Sequence, residues 1–416
     1  MKSFFNTAIL VFITSLTIFG QIYTGPIPKP SSGYGSDGIN TIAIASFSNP
    51  NYPTEDIKIF YPSGITSSVP TIFYSHGFGG FDPVNVMGLL NFVARKGYAI
   101  VFVPYQATGV TNTQRYTNLL SGFIKSARDF PNIIDTTRVG FMGHSFGGGA
   151  TFANALHCFT NLNWGSLGRF MFASGQWYSL NISQNDLLTF PNDVKLLTMV
   201  YEYDLTNDHR MANDIFNTIN IPSSEKDYLL VKTDTIGSYI YEAIHGVPNT
   251  ASAFDALDYY AIYRHLDALC DYTFNGNLAA KDVALGDGSF NQISMPGGMH
   301  NLVQSNTPNF SHPESLYTYP CSTLQNPRQA YCSVITSNTE ISANTDVFIF
   351  PNPANTTLNV ETEKTISKIE FFNVQGELVI KANTKNVSIS ELPNGLYFAK
   401  IIFSDNSLGI KKIIKE

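Results

Sequence analysis

Charged side chains are scarce in this sequence. Lys, Arg, Asp and Glu together make up 14% of the 416 residues, and the formal net charge is -7. The chain therefore lacks the basic surface that displaces counterions from nucleic acid, which argues against a nucleic-acid-binding protein. With 44% hydrophobic residues, it is too apolar for a disordered protein, and it can bury a large core.

Long hydrophobic runs are absent after residue 20. No later segment offers the roughly 20 consecutive apolar residues that a transmembrane helix needs. At the start of the chain, Lys2 precedes an apolar run that begins at Ala8 and ends near Gly20. A positive end, a short apolar run and a polar continuation are typical of a secretory signal peptide. We therefore expect residues 1–20 to be a signal peptide and the protein to be exported.

Cysteine is rare, with four in the chain. None has the Cys-x-x-Cys or Cys/His spacing of a metal site, so we expect no metal. In an oxidising compartment an even number of cysteines predicts disulfides, and four cysteines allow three pairings. We favour Cys321–Cys332, which closes a short loop, with Cys158–Cys270 as the second pair. A buried, unpaired Cys158 on a helix is the alternative.

Apolar β-rich runs alternate with helical patterns over residues 40–311. The runs cover residues 41–47, 56–61, 71–75, 99–103, 138–142, 196–201 and 228–233, and helical patterns at residues 85–96, 114–129 and 147–157 lie between several of them. This alternation predicts an α/β fold, in which helices cover both faces of a mostly parallel sheet.

The C-terminal stretch has a different pattern. Its short strands are separated by Asn, Gly and Pro turns, and it has no clear helix, which predicts a small all-β sandwich. Residues 345–416 hold eight Lys and eight Asp or Glu, so this stretch is neutral. We predict an α/β domain over residues 21–333, a polar linker over 334–345 and a β-sandwich over 346–416.

A nucleophile motif follows one of the predicted strands. Residues 138–149 read Arg-Val-Gly-Phe-Met-Gly-His-Ser-Phe-Gly-Gly-Gly and lead into a helical pattern. Residues 143–147 are G-x-S-x-G in the context that this motif requires, a strand, a tight turn and a helix. Glycines at 143 and 147 let the strand and helix pass closely around a strained turn. Ser145 is therefore the predicted catalytic nucleophile, and a plain Gly/Ser turn is the alternative.

A second glycine-rich motif, Ser75-His76-Gly77-Phe78-Gly79-Gly80, directly follows the strand at 71–75. In acyl transfer the tetrahedral intermediate carries an oxyanion that backbone N–H groups stabilise. One donor belongs to the residue after the nucleophile, and the other lies in a loop after an earlier strand. This predicts the amides of Phe146 and Phe78 as the oxyanion hole.

The acid of a catalytic triad is expected after a later strand, because the order along the chain is serine, acid, histidine. Asp204 follows the strand at 196–201 and is the predicted acid. Glu202 is the alternative. Asp208 is expected to cap the following helix.

The base is expected after the next strand, because it must reach both the serine and the acid. His245 follows the strand at 228–233 and is the predicted base, with His300 as its rival. His76 and His144 flank the two motifs and are expected to shape the turns. The remaining histidines are expected to have surface or structural roles: His157, His209, His265 and His312.

With these motifs in this order, residues 40–310 resemble the α/β-hydrolase superfamily, and within it the dienelactone-hydrolase-like and cutinase-like secreted esterases, including polyester hydrolases. The resemblance is carried by residues 76–80, 135–148 and 202–204. It implies Ser145, Asp204 and His245 as the triad, with serine in place of the cysteine nucleophile of dienelactone hydrolase itself.

The same resemblance implies substrate-binding residues. In cutinase-like polyesterases, an aromatic residue at the Phe78 position and a tryptophan after the next strand flank the acyl group. Trp177 follows the apolar run at 170–174 and fits that place. A tryptophan in the core is the alternative.

Residues 346–416 resemble the type IX secretion (Por) C-terminal sorting domain. The resemblance is carried by Phe350-Pro351-Asn352-Pro353-Ala354, by residues 372–377 and 392–398, and by the basic stretch at 411–415. It implies export across both membranes and interaction with the secretion machinery, with the domain cleaved or used for surface attachment. A substrate-binding β-module is the alternative.

Together, the two resemblances imply a secreted serine carboxylic-ester hydrolase that needs no cofactor. We expect the protein to be a monomer. Small esters, lipids and polyesters are its expected substrates. A serine peptidase of the same fold and a non-catalytic surface-binding protein are the alternatives, because a fold does not fix a function.

Overall fold

The computed structural model describes residues 22–249, 253–321, 323, 327–328, 347–373, 377–405 and 408–416. The chain divides into two units, Met1–Gln329 and Ala330–Glu416. The predicted signal peptide and the predicted linker lie outside the described residues.

A mixed sheet organises the first unit. The strands of this unit are β1 (Ile22–Tyr23), β2 (Ile42–Ser48), β3 (Asp56–Pro62), β4 (Val69–Ser75), β5 (Ala99–Phe102), β6 (Ile134–His144), β7 (Gly168–Ser174), β8 (Lys195–Tyr201), β9 (Lys226–Val231), β10 (Asp234–Ile236), β11 (Tyr239–Tyr241), β12 (Ala253–Phe254) and β13 (Val303–Gln304). Within the described ranges, nine of them form one sheet in the order β13-β9-β8-β7-β6-β4-β5-β3-β2.

Six neighbouring strands of this sheet, in the order β9, β8, β7, β6, β4 and β5, run parallel to one another. At the edges, β2, β3 and β13 pair antiparallel with their neighbours. Parallel strands need crossover connections, and helices supply most of them here. The mostly parallel sheet predicted from the alternating pattern is thus confirmed.

The helices of the first unit are α1 (Met87–Arg95), α2 (Asn112–Asp129), α3 (Phe146–Asn161), α4 (Gln184–Leu188), α5 (Arg210–Thr218), α6 (Arg264–Asn275), α7 (Leu278–Ala284) and α8 (Phe290–Ile293), with a π-helical segment at Leu257–Tyr263. Helix α2 begins at a capping box formed by Thr111 and Gln114, and α6 ends at the left-handed Gly276. None of the helices in the described ranges combines the length and the apolarity that crossing a bilayer requires.

Alternate strand residues build two separate cores, one on each face of the sheet. On β4, Ile72 and Tyr74 face a core shared with α1 and α6, whereas Phe73 faces a core shared with α2 and α3. This alternation is the two-residue period of a strand, and burial on both faces explains why the strands read as continuous apolar runs.

The two cores correct one prediction about the cysteines. Cys158 on α3 belongs to one core and Cys270 on α6 to the other, and both are buried and free. The predicted Cys158–Cys270 disulfide is therefore wrong, because the sheet lies between them and a disulfide requires Cα atoms within about 7 Å. Cys332 lies outside the described residues, so the Cys321–Cys332 pair stays a prediction.

The second unit is all-β in its described residues. Its strands are β14 (Phe348–Phe350), β15 (Thr357–Glu361), β16 (Ile366–Asn373), β17 (Leu378–Ala382), β18 (Asn386–Ser388), β19 (Gly395–Phe403) and β20 (Leu408–Lys415). They form antiparallel sheets in the orders β14-β15-β18 and β17-β16-β19-β20. Both sheets contribute buried side chains to one core, Leu358 from the first and Ile401 from the second. This is the predicted small β-sandwich.

Candidate active site

A sharp turn carries Ser145 from the end of β6 to the start of α3. Ser145 has φ 56° and ψ -124°, a backbone conformation that a residue with a Cβ rarely adopts. Its amide donates to the carbonyl oxygen of Ser174 at 3.0 Å, and its own carbonyl accepts from the amide of Trp177 at 2.7 Å. These bonds to the end of β7 and to the loop after it hold the strained turn in place.

The glycines of the motif are required by close backbone approach. A Cβ on Gly147 would lie 2.0 Å from the carbonyl oxygen of Ser75, and one on Gly143 would lie 2.2 Å from the carbonyl oxygen of Gly147. Neither contact is possible for real atoms, so α3 can pass this close to β4 and β6 only with glycine at both positions.

Three predicted residues form one hydrogen-bonded chain. The Oγ of Ser145 lies 2.9 Å from Nε2 of His245, and Nδ1 of His245 lies 2.8 Å from Oδ2 of Asp204. With the carboxylate as acceptor, Nδ1 carries the imidazole proton, and Nε2 is left to accept the proton of the serine. The structure thus brings together Ser145, His245 and Asp204 from the chain segments that follow β6, β11 and β8.

The carboxyl group of Asp204 is buried, with 2% of the residue exposed. Its Oδ1 accepts hydrogen bonds from the backbone N–H groups of Thr206 at 3.0 Å and Asn207 at 2.9 Å. Both carboxylate oxygens therefore have hydrogen-bond donors, since Oδ2 faces His245. The side chain of Asn207 donates to the carbonyl of Gly175 at 2.8 Å, and the same nitrogen lies 3.4 Å from Oγ of Ser145. The sequence analysis missed Asn207, although Asp204 is followed after one residue by Thr206 and Asn207, and these residue types favour such turns.

The loop that carries His245 follows a hairpin of β10 and β11. The backbone of this loop is held on both sides of His245: Tyr203 donates its amide to the carbonyl of Ala243 at 2.9 Å, and Nε2–H of His144 donates to the carbonyl of His245 at 2.7 Å. Burial, and after it the nearby His245, lowers the pKa of His144 to about 3. His144 is therefore a neutral hydrogen-bond donor that ties the turn at Ser145 to the loop that carries His245.

His76 shapes the loop of the second motif. Its Nδ1–H donates to the carbonyl of Gly77 at 2.7 Å, and its Nε2 accepts the amide of Tyr105 at 3.2 Å. This pair of bonds requires the neutral imidazole. Burial lowers the pKa of His76 to about 4, which agrees with that assignment. The prediction that His76 and His144 shape their turns is consistent with these contacts.

Phe146, the residue after Ser145, contacts two other aromatic rings. Phe78 is 58% exposed, whereas Phe146 is buried. Their ring centroids lie 6.0 Å apart, and Phe146 stacks on the half-buried Trp177 at 5.1 Å. Within the described residues, the backbone N–H groups of Phe78 and Phe146 have no acceptor. Both amides are therefore free to bind an oxygen of a ligand.

The alternative acids and the rival base have other partners. Glu202 forms an ion pair with Lys232, and Asp208 accepts the backbone amide of Arg210 at 2.9 Å and pairs with its guanidinium group. His300 hydrogen-bonds to the buried Asp234 instead of Ser145, and its side chain is 69% exposed. The geometry therefore favours Asp204 and His245.

The loop after β8 carries Asp204, the predicted acid, and we call it the acid loop. A chain segment near the end of the first unit supports it. Nε2–H of His312 donates to the carbonyl of Glu202 at 2.5 Å, and the Tyr317 hydroxyl accepts the amide of His312 at 2.9 Å. That hydroxyl also donates to Nδ1 of His209 at 2.9 Å, while Nε2–H of His209 donates to the carbonyl of Tyr201 at 2.8 Å. We call these three residues, His209, His312 and Tyr317, the acid-loop clamp. The sequence analysis expected only surface or structural roles for the two histidines.

No group of three or more His, Cys, Asp or Glu side chains is placed to hold a metal ion within the part of the chain that the structure describes.

Comparison with known proteins identifies one part of the chain. Residues 348–416 match the family described as "Secretion system C-terminal sorting domain". This match confirms the predicted sorting domain and indicates type IX secretion to the cell surface or the exterior. No curated protein matches the chain significantly.

Proposed function

We propose that this exported protein is a serine carboxylic-ester hydrolase whose first unit has the α/β-hydrolase fold. The observation that carries the proposal is the hydrogen-bonded chain from Ser145 through His245 to Asp204, with contacts of 2.9 and 2.8 Å. A histidine oriented by a buried carboxylate can remove the proton from a serine hydroxyl, which is otherwise a weak nucleophile.

The topology supports the fold assignment. The serine lies on a sharp turn between β6 and α3, the candidate oxyanion loop follows β4, and the acid and the histidine follow later along the chain. In α/β-hydrolases the nucleophile stands on such a strand-to-helix turn, and the triad has this chain order.

In the first half of the reaction, Oγ of Ser145 attacks the ester carbonyl carbon while Nε2 of His245 takes the hydroxyl proton. The carbonyl oxygen becomes an oxyanion, and the free amides of Phe78 and Phe146 donate to it. Loss of one such donor typically lowers the rate by about 10²–10³. Asp204 stabilises the imidazolium ion that His245 becomes. The imidazolium then protonates the departing alcohol, and an acyl-enzyme remains on Oγ.

In the second half, a water molecule gives a proton to Nε2 of His245 and attacks the acyl carbon. The second tetrahedral intermediate collapses, the proton returns to Oγ of Ser145, and the carboxylic acid leaves. Each step moves a proton only between His245 and the reacting oxygens. These residues therefore suffice for ester hydrolysis, and the proposal includes no cofactor.

The aromatic residues beside the serine suggest the kind of acyl group. Phe78 is mostly exposed, and the half-buried Trp177 stacks on Phe146. Rings in these positions favour apolar acyl groups, because burying them on substrate binding removes apolar surface from water. Short esters, lipids and polyesters all satisfy this requirement.

The test is hydrolysis of p-nitrophenyl esters from acetate to palmitate by the full mature chain. We expect activity that falls by at least about 10³-fold in Ser145→Ala, since the nucleophile is lost. Ser46→Ala, an exposed serine on the edge strand β2, is the control and should retain full activity. The acyl chain length with the highest kcat/KM then selects between small esters and lipid or polyester substrates.

Inactivity of the folded wild-type protein on every ester would contradict the proposal. Peptide substrates would be tested next, because a serine peptidase can use the same triad. Labelling by a fluorophosphonate probe that is lost in Ser145→Ala would show an activated serine independently of the substrate.

A further inference from the structure

The four-stranded sheet of the second unit has one face in the core and one face outside it. Along β19, Tyr397, Ala399 and Ile401 are buried, while Phe398 and Lys400 between them point away from the core. This follows from the two-residue period of a strand. The outer face is therefore defined by the residues paired across the strands with Phe398 and Lys400.

Apolar side chains adjoin one another on this outer face. Phe398 lies opposite Phe372, and Phe372 lies opposite Leu378 at a bulge of the edge strand β17. Leu396, two residues before Phe398, lies opposite Ile414. Phe398, Leu378 and Ile414 are 40%, 41% and 39% exposed. Directly opposed residues have Cβ atoms about 5 Å apart, so these side chains form a continuous apolar patch.

Basic side chains adjoin the apolar patch. Lys400 lies opposite Glu370, which in turn lies opposite Lys381, and Lys412 lies opposite Phe398. Lys368, two residues before Glu370, forms an ion pair with it. The hydrogen bond from Lys368 and the nearby Lys400 and Lys381 lower the pKa of Glu370. Three lysines therefore surround Glu370, and Lys412 is a fourth lysine on the same side of the sheet, so this side is net positive. The outer face thus consists of the apolar patch and these lysines.

We propose that the outer face is the surface by which the sorting domain docks on a protein of the secretion machinery, and that the partner surface is acidic with an apolar centre. The family match indicates that a secretion system recognises this domain, so a protein of that system must have a surface that binds it. A contiguous exposed apolar patch marks an interaction site more often than scattered apolar residues do. An apolar centre with complementary charges around it is also the usual anatomy of a protein interface.

The first experiment expresses the full chain in a bacterium that has a type IX secretion system. Phe398→Ser removes the centre of the outer face. Phe348→Ser is the matched control, since Phe348 is 62% exposed on β14 of the other sheet. We expect the secreted fraction to fall at least about tenfold for Phe398→Ser, because the centre of an interface contributes most of the binding. The control should be secreted like the wild type.

A second pair of variants tests the charge of the outer face. The double variant Lys400→Glu, Lys412→Glu reverses two charges, whereas Lys400→Arg, Lys412→Arg keeps them. We expect secretion to fail for the charge-reversed double variant, because like charges opposed across an interface disfavour binding. Secretion should persist for the double variant that keeps both positive charges. Urea unfolding of each purified full-length variant establishes that the sandwich is folded.

Normal secretion of the folded Phe398→Ser and charge-reversed variants would overturn the proposal. It would also be overturned if the full chain bound vesicles containing 30% anionic lipid and lost that binding in Phe398→Ser, because the outer face would then be a membrane surface. An equal loss of secretion in Phe348→Ser would show that the effect is not specific to this face. None of these readouts depends on hydrolytic activity, so the result is independent of the proposed function.

Discussion

At the scale of single residues, His144 has a part that the motif alone does not reveal. Its imidazole is buried, and its Nε2–H donates to the backbone carbonyl of His245 at 2.7 Å. The bond joins residues that are 101 positions apart in the chain. His144 can therefore fix the position of His245, the proposed base, although its own side chain is buried.

The first prediction follows from this bond. We expect His144→Phe to lower kcat/KM for a p-nitrophenyl ester about tenfold, because losing a buried hydrogen bond costs about 1–3 kcal/mol. The loss should lie mainly in kcat, since His144 is buried. His144→Gln places an amide donor near the same point and should restore most of the rate. Equal losses in both variants would contradict a positioning role.

The second prediction concerns pH and follows from two of the buried neutral histidines, His76 and His144. Burial lowers the folded-state pKa of His76 from 6.5 to about 4 and that of His144 to about 3. Between pH 6.5 and these values the unfolded chain binds more protons than the folded chain. The free energy of unfolding should therefore fall as the pH drops below 6.5, by about 1.4 kcal/mol per pH unit for each histidine.

Urea unfolding at a series of pH values measures this slope. Asp258 acts in the opposite direction, since burial raises its pKa to about 7. For this reason the informative quantity is the difference between variants. The glutamine of His76→Gln can still accept the amide of Tyr105 but does not titrate. Between pH 6.5 and 4.5 the free energy of unfolding of this variant should therefore change less with pH, by about 1.4 kcal/mol per pH unit, which corresponds to one proton. An unchanged slope would refute the assignment of His76 as a buried neutral group.

The sequence was sufficient to predict which residues form the hydrogen-bonded chain, because they lie in short motifs with a required local context. Ser145, Asp204 and His245 were all predicted, and the structure brings them together. The contacts of Asn207 and His144 depend on which loops meet in space, and a single sequence does not contain that information. Their partners, the carbonyls of Gly175 and His245, are backbone groups that every residue type has.

At the scale of elements, the site depends on how closely α3 passes β4. The third prediction is that Gly147→Ala lowers kcat/KM at least about 100-fold and destabilises the fold by about 1–3 kcal/mol, as overpacking does. Its Cβ would lie 2.0 Å from the carbonyl of Ser75. Gly246→Ala is the control, because a Cβ there has nothing within 4 Å, although the residue adjoins His245. Thermal melts and ester assays on both variants decide the matter.

The acid-loop clamp is the second feature at this scale. Its central atom is the hydroxyl of Tyr317, which bonds both His312 and His209. The fourth prediction is that Tyr317→Phe lowers kcat about three- to tenfold with little change in KM, since a hydrogen bond is worth about 1 kcal/mol. Tyr61→Phe, on the strand β3, is the matched control. A change in KM alone would show that the clamp acts on substrate binding and not on the acid loop.

Element boundaries show where sequence patterns were informative. The predicted runs at 56–61 and 196–201 differ by one residue from β3 (Asp56–Pro62) and β8 (Lys195–Tyr201). Both strands are largely buried apolar runs, so their limits are visible in the sequence. The hairpin of β10 and β11 and the π-helical segment at Leu257–Tyr263 were not predicted. Short or irregular elements depend on their tertiary contacts, which local propensity does not specify.

At the scale of the whole molecule, the two units have separate cores. The residues of the sandwich core lie between Val347 and Ile413, and those of the first unit end before residue 330. The fifth prediction is that a chain ending at residue 345 hydrolyses p-nitrophenyl esters with a kcat/KM within about twofold of the full chain, because a domain with its own core can fold alone. A tenfold lower value would show that the sandwich contributes to catalysis.

The two free cysteines have a practical consequence. Cys158 and Cys270 lie in cores on opposite faces of the sheet, and each is at most 1% exposed. A thiol reagent can modify them only after the layer around each one opens. Alkylation followed by peptide mass spectrometry would thus time the opening of each helical layer separately. The protein has natural reporters of its own unfolding, one on either side of the sheet.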